Sequence, residues 1–171
     1  MSINTTTRGA SSLEFTLLGL PLLFVLIGTV EMCRGMWLYH TLAYAIKEGS
    51  RYTSVHGQSC TIPPNACTVS ISQISRVIQT AGSGLATDSL TLTFTPFSGT
   101  ATTCLLKDCV SNYATGSWPS ATANGPGESF RISGVYPFQS AMLMFWPGQR
   151  FITSAPAVVN FSASAMETMQ Y

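Results

Sequence analysis

The chain of 171 residues has room for one ordinary domain and a short additional element. Its formal net charge is +1, and charged residues make up only 9% of it, against roughly 25% in an average soluble protein. This charge excludes a basic surface of the kind that binds nucleic acid, and the scarcity of charged residues favours an exported protein over a cytosolic one.

An uncharged apolar run from Phe15 to Val30 predicts one membrane-spanning helix near the amino terminus. As a helix the run covers about 24 Å of a hydrocarbon core that is roughly 30 Å thick, and its extension from Leu13 to Trp37 covers about 37 Å. Pro21 is expected to kink this helix without breaking it. A buried core helix and a cleaved secretory signal are the alternatives, but no small-x-small cleavage site follows the run.

The flanks of the apolar run predict its orientation and its far boundary. Arg8, the basic residue ahead of the run, favours a cytoplasmic amino terminus and an exported carboxy-terminal body. Glu31 and Arg34 stand three residues apart, so they can form an ion pair on one helix face at the membrane exit. Trp37 and Tyr39 follow at the level where an aromatic belt is expected.

The helix is predicted to continue beyond the membrane. Residues 38–55 contain no proline or turn cluster, and their apolar residues recur at helical spacing. Gly57 is expected to end the helix in a left-handed conformation. Cys33, on the same helix, is interpreted as a small apolar filler rather than a reactive thiol.

The rest of the chain predicts an α+β domain, with a short second helix and an antiparallel sheet of about three to four strands against the long helix. The second helix is expected over residues 72–80 and is closed by Gly82. Strand-like patterns occur at residues 89–97, 129–138 and 151–161. Pro156 places the last strand at an edge or at a break.

Two further segments are predicted outside regular structure. Residues 98–126 are rich in Ser, Thr, Gly and Ala, so they are expected to form a long surface loop tied by a disulfide. The apolar stretch AMLMFWPG at residues 141–148 is either the floor of a small core or an exposed tip that contacts a partner subunit or the membrane surface.

Four of the five cysteines lie beyond the long helix, at Cys60, Cys67, Cys104 and Cys109. Disulfides are favoured over a zinc site, because the segment is predicted to be exported and neither short spacing is C-x-x-C. Four cysteines allow three connectivities. The short spacings favour local bridges, Cys60 with Cys67 and Cys104 with Cys109, each contributing about 2 to 2.5 kcal/mol.

The sequence predicts no enzyme. Its histidines and exported carboxylates are too far apart along the chain to suggest a triad, a carboxylate pair or a metal site. We therefore expect no cofactor, no metal and no small-molecule substrate.

One carboxylate, Glu14, stands at the edge of the apolar run and has no partner charge on its own helix. A charged side chain at the centre of a bilayer costs about 2.5 to 3.5 kcal/mol, and even at the edge it is tolerated mainly when another group pairs with it. The stretch from Gly9 and Ala10 through Glu14 to Phe15 resembles the processing site of type IV pilin-like proteins. That resemblance implies that a prepilin peptidase cuts after Gly9, and that Glu14 then faces the free amino terminus of a neighbouring subunit.

Residues 8–57 resemble, more narrowly, the TadE family of the tight adherence (Tad, or Flp) pilus machinery. RGASSLEFTLLGLPLLFVLIGTVEMCRGMWL is similar to the start of that family, and AYAIKEGSRYTSVHG is similar to its continuation. SFRISGVYPF and FSASAME show a weaker similarity to its late strand and tail.

This resemblance implies a minor pilin or pseudopilin of the bacterial inner membrane, with a cytoplasmic amino terminus and a periplasmic body. The implied domains are a leader (1–9), a transmembrane helix (10–37), its exported continuation (38–57) and an exported α+β domain (58–171). The implied partners are the prepilin peptidase, other pilin-like subunits, the Tad secretion machinery and inner-membrane lipid. The alternative hypothesis is a single-span anchored binding or sensing module that is never assembled into a pilus.

Overall fold

The computed structural model describes residues 7–62, 65–66, 68–140 and 158–170. These residues fall into two compact units. The first contains the long helix up to Met36 together with Gln139 and Ser140, and the second contains the other described residues from Trp37 onward.

The long helix α1 extends from Thr7 to Ser54, which corresponds to about 72 Å of helix axis. Pro21 lies inside it. The prediction that Gly57 ends the helix was wrong, because α1 ends three residues earlier. At this end of the helix a residue near the carboxy terminus supplies the hydrogen-bond donor: the Gln170 N–H donates to the Ser54 carbonyl over 2.9 Å. The following backbone is bound in turn, because the Gln58 N–H donates to the Asn124 carbonyl.

The second helix α2 extends from Ile71 to Ala81, one residue longer at each end than predicted. It begins with a capping box, in which Ser70 accepts from the Gln73 N–H and the Gln73 side chain accepts from the Ser70 N–H. It ends at Gly82, whose N–H donates to the Ile78 carbonyl over 2.8 Å. Two antiparallel strands of two residues each, β1 (Thr61–Ile62) and β2 (Asn65–Ala66), precede it.

Four strands form one open sheet in the order β4-β3-β5-β6. The strands are β3 (Thr91–Thr95), β4 (Thr102–Leu105), β5 (Ser129–Gln139) and β6 (Val158–Thr168). Strand β3 is antiparallel to both of its neighbours. The predicted α+β class, with a long apolar helix, a short second helix and three to four strands, is confirmed.

The long surface loop predicted over residues 98–126 was wrong. Strand β4 and a helix α3 (Leu106–Asn112) form there, followed by a short 3-10 helix (Ala121–Ala123). Strand β4 is stabilised by its ladder with β3, and the Leu106 N–H donates to the Leu90 carbonyl over 2.8 Å. Trp118, in the same predicted loop, is buried with its ring edge-on to Phe94 and Phe130.

The last strand also differs from its prediction, which had it end near Phe161. Strand β6 continues to Thr168, because pairing beside β5 holds its Ser and Ala residues in an extended conformation. Pro156 and the apolar stretch at 141–148 lie outside the described residues.

The core of the second unit lies between α1, α2 and one face of the sheet. Its fully buried apolar residues include Leu42, Ala45 and Ile46 on α1, Ile74 and Ile78 on α2, and Leu90, Leu92, Phe94 and Ile132 at the sheet. Two glycines allow the close approach of these layers. A Cβ at Gly49 would lie 2.5 Å from Ile78 Cγ1, and one at Gly134 would lie 2.9 Å from Ile46 Cδ1.

Candidate processing and assembly segment

The part of α1 from Leu13 to Val30 is covered by nothing in the described structure. Its large apolar side chains are mostly more than half exposed, including Phe15 at 78% and Leu17 at 76%. Among the described residues one helix is long and apolar enough to cross a membrane, and it is this one. Each buried Leu or Phe side chain gains about 1.5 to 3 kcal/mol, so a surface of this kind is stable only in lipid or against other apolar helices.

The residues of the predicted processing site lie at the start of this helix. Gly9 and Ala10 are in the first turn of α1. Glu14 and Phe15 follow about one turn later, and both side chains are exposed. Glu14 makes no ion pair with any residue that the structure describes.

The two threonines of the apolar segment differ from Glu14, because each has a backbone acceptor within reach. Thr16 Oγ1 donates to the Leu13 carbonyl over 3.0 Å, and Thr29 Oγ1 donates to the Leu26 carbonyl over 2.8 Å. Such back-bonding satisfies a hydroxyl inside a membrane helix without help from another chain. The Glu14 carboxylate differs from these hydroxyls, because it lies at the edge of the apolar segment and no described residue forms an ion pair with it.

The predicted ion pair at the far end of the segment is present. Arg34 Nη1 lies 3.1 Å from Glu31 Oε1, and the Glu31 side chain is only 14% exposed. Arg34 Nη2 also donates to the Gln139 carbonyl over 3.4 Å. Arg34 thus connects α1 to the last residue of β5. The sequence did not predict this contact, because Arg34 and Gln139 are far apart along the chain.

The two aromatic residues that follow have specific contacts within the second unit. The Trp37 ring lies over Gly84, where a Cβ would be 2.6 Å from its Cη2 atom and where the backbone φ is +93°. Tyr39 meets Phe161 of β6 edge-on, with ring centroids 6.1 Å apart. Both side chains remain partly exposed, at 56% and 45%, and their place at a membrane interface stays a prediction.

The cysteines divide into bridged and free residues. Cys104 of β4 and Cys109 of α3 form the predicted local disulfide, with Cα atoms 5.6 Å apart. Cys60 is also disulfide-bonded, and Cys67, its predicted partner, lies outside the described residues. Cys33 is free and exposed on α1, so it fills no space inside the described part of the chain.

No group of three or more His, Cys, Asp or Glu side chains lies close enough to hold a metal within the part of the chain that the structure describes. Sequence reasoning missed Gly49, which allows α1 to approach α2 closely, and Gly134, which allows α1 to approach the sheet closely. Gly49 had a usable signal, because a glycine within a helix usually marks a close packing contact. Gly134 had none, since its role depends on the register of β5 against β3.

Comparison with known proteins points to one family. Residues 9–51 match the model of a family described as TadE-like protein. The matched segment begins at the predicted cleavage position, includes Glu14, Glu31 and Arg34, and ends within α1. No match was found among curated proteins or among solved structures.

Proposed function

Because the chain is TadE-like over residues 9–51, we propose that it is a minor pilin or pseudopilin that acts in the assembly of a Tad pilus. The match over α1 is the observation that supports this proposal most directly. The proposed role is structural rather than catalytic, and adhesion is a property of the assembled fibre.

The proposed location is the bacterial inner membrane, with one span, a cytoplasmic amino terminus and a periplasmic body that can enter a surface pilus. The exposed apolar surface of α1 supports a membrane or fibre environment. Arg8 supports the orientation, since a basic residue next to a span favours the cytoplasmic side. The disulfides at Cys60 and at Cys104 support an oxidising compartment for the body.

The proposed maturation is a cut by a prepilin peptidase after Gly9, which makes Ala10 the new amino terminus and Glu14 the fifth mature residue. The new α-amino group is a cation at the edge of an apolar segment. A carboxylate and an ammonium in such a setting stabilise each other, because leaving either one alone is costly. Glu14 of one subunit therefore pairs with the amino terminus of the next and sets the register between them.

The proposed partners follow from these steps. The peptidase binds the segment around Gly9, Ala10, Glu14 and Phe15. Other pilin-like subunits and the Tad secretion machinery cover the apolar face of α1 that the chain itself leaves exposed. The Glu31–Arg34 pair neutralises two charges near the end of the apolar segment.

The test is the mass of the mature amino terminus in cells with and without the prepilin peptidase. We expect the chain to begin at Ala10 in the first strain only. Gly9→Val is expected to block the cut, because the peptidase of this class accepts a small residue at that position. Gly19→Val is the matched control, since it adds the same side chain to the same helix with only ordinary contact to Phe15.

The anchored-module alternative makes the opposite prediction for the same measurement. Such a protein keeps Met1, or loses only that residue, in both strains. An unchanged amino terminus in the strain that has the peptidase would reject the pilin proposal.

A further inference from the structure

The half of α1 that belongs to the second unit has a continuous exposed face, which we call the helix stripe. Its exposed residues on α1 follow each other at helical spacing over about 21 Å of the helix axis. The stripe consists of Trp37, His40, Tyr44, Lys47 and Arg51 on α1, together with exposed Val55, the residue that follows the last turn of α1. The opposite face of this part of α1 is buried against α2 and the sheet.

A shallow groove between α1 and α2 borders the helix stripe. Tyr44, which is 58% exposed, belongs to both. The other lining residues are Glu48, Arg76, Val77, Thr80 and Ala81. The combination of an exposed aromatic ring with small and apolar residues beside it is typical of a surface that receives side chains from another helix.

The charge of this surface is positive. Among the described residues of the helix stripe and its groove, three basic side chains, Lys47, Arg51 and Arg76, accompany one carboxylate, Glu48. Arg51 lies 3.6 Å from Glu48, and its side chain remains 66% exposed. Within the described residues, Lys47 and Arg76 make no ion pair.

We propose that the helix stripe and its groove bind the exposed helix of a different membrane-anchored pilin-like subunit, one whose facing side carries Asp or Glu residues. This inference rests on the proposed function, which brings several such helices together. A helical partner is favoured because Trp37, Tyr44 and Arg51 repeat every seven residues, the spacing at which one helix packs along another. An acidic partner is favoured because the surface offers three cations and one carboxylate.

A second copy of this chain does not fit the same surface. Two copies packed through the helix stripe bring six cations against two carboxylates, whatever the register between them, because the copies double the imbalance. Like charges held close together across an interface oppose association. An anionic lipid surface fits less well too, since lipid-binding clusters contain about four to eight cations and this one contains three with a carboxylate among them.

The experiment is photocrosslinking of the full-length chain in its own bacterium. A photoreactive phenylalanine analogue replaces Tyr44 in one strain and Val55 in a second. It replaces Phe97, which is 64% exposed in the turn between β3 and β4, in a control strain. After irradiation, mass spectrometry identifies the crosslinked peptide and the amino terminus of this chain in the same sample.

We expect Tyr44 and Val55, but not Phe97, to crosslink to the helix of another single-span pilin-like subunit with acidic residues next to the adduct. The double variant Lys47→Glu/Arg51→Glu should reduce that crosslink roughly tenfold, because attraction becomes repulsion at both positions. Lys107→Glu/Arg131→Glu changes the net charge equally and should leave the yield unchanged. Replacing the partner's acidic residues by Lys should restore the crosslink to the double variant.

An adduct with a second copy, an adduct with lipid, or no adduct from either position would overturn the inference. A crosslink that is insensitive to the charge reversal would do the same. The amino terminus measured in the same sample separates this failure from failure of the proposed function. A chain that begins at Ala10 without the expected crosslink rejects the docking surface alone, whereas a chain that keeps Met1 rejects the pilin assignment as well.

Discussion

At the scale of single residues, the Glu14 carboxylate is the side chain whose role depends most on other molecules. The threonines of the apolar segment bond to their own helix, and Glu31 has Arg34. Glu14 is exposed and has no ion pair among the described residues. Its effect should therefore be seen in assembly and not in the folding of the subunit.

We predict that Glu14→Ala leaves membrane insertion intact and impairs assembly. Removing a charge makes the segment more apolar, so insertion is slightly favoured. Membrane fractionation measures the first effect, and recovery in sheared surface fibres or in crosslinked complexes with other pilin-like proteins measures the second. Thr16→Ala, which removes a self-satisfied hydroxyl nearby, is the control. Normal recovery of Glu14→Ala in those complexes would limit Glu14 to recognition by the peptidase.

Gly49 is one of the residues at which stability should be sensitive to a small change. We predict that Gly49→Val destabilises the second unit by about 1 to 3 kcal/mol, since a Cβ there meets Ile78 and the layers must separate. Thermal unfolding of the full chain in detergent micelles measures the change. Lys47→Val adds a β-branched residue to an exposed position of the same helix and should cost much less. Equal melting temperatures for the two variants would contradict the prediction, because they would show that Ile78 moves aside for the new side chain at little cost in stability.

At the scale of elements, the Cys104–Cys109 bridge joins the edge strand β4 to helix α3. We predict that Cys104→Ala/Cys109→Ala lowers the free energy of unfolding by about 2 kcal/mol, because the bridge no longer restricts the unfolded chain. Chemical denaturation measures this free energy, with Cys33→Ala as the control that removes an unbridged thiol.

The connectivity of the disulfides is a separate prediction. Non-reducing peptide mapping should recover Cys60 with Cys67 and Cys104 with Cys109. A peptide that links Cys60 to Cys104 would contradict this connectivity.

The elements that the sequence predicts well are those with a strong pattern of their own. The α2 helix has apolar residues at helical spacing between a capping box and Gly82, and β3 alternates Leu92 and Phe94 with threonines. Strand β4 has no such pattern, since three of its four residues are Thr or Cys. It forms because β3 offers an edge and the disulfide holds the following helix, and both causes are tertiary.

At the scale of the whole molecule, the buried apolar core among the described residues lies in the second unit, between Leu38 and Met169. We predict that a chain of residues 37–171, exported to the periplasm, folds without the apolar part of α1. Circular dichroism should show cooperative unfolding within a few degrees of the same transition in the full chain. A chain of residues 58–171 is the control, because it lacks the buried residues of α1 and should not fold. Loss of cooperativity in the longer chain would show that the first unit contributes to the fold.

The relative positions of the candidate site residues could be predicted better from the sequence than the fold of the domain that follows α1. Gly9, Glu14, Glu31 and Arg34 lie within one helix, so their spacing in sequence is also their spacing in space. The Gln139 contact and the groove beside Arg76 depend on how distant segments fold onto α1. The spacing of residues along one helix follows from the sequence of that helix. A surface formed by two elements can be described only when the packing of both elements is known.

The position of Gly9 in the first turn of α1 has a kinetic consequence for the proposed cut. A protease acts on an opened segment, and the rate follows the population of that open state when opening is fast. The first four N–H groups of a helix have no helical acceptor, so its terminal turn unwinds at small cost. The rate of cleavage at Gly9 would thus follow the fraction of time that the first turn is unwound, and the bond would become harder to cut the further it lay inside the helix.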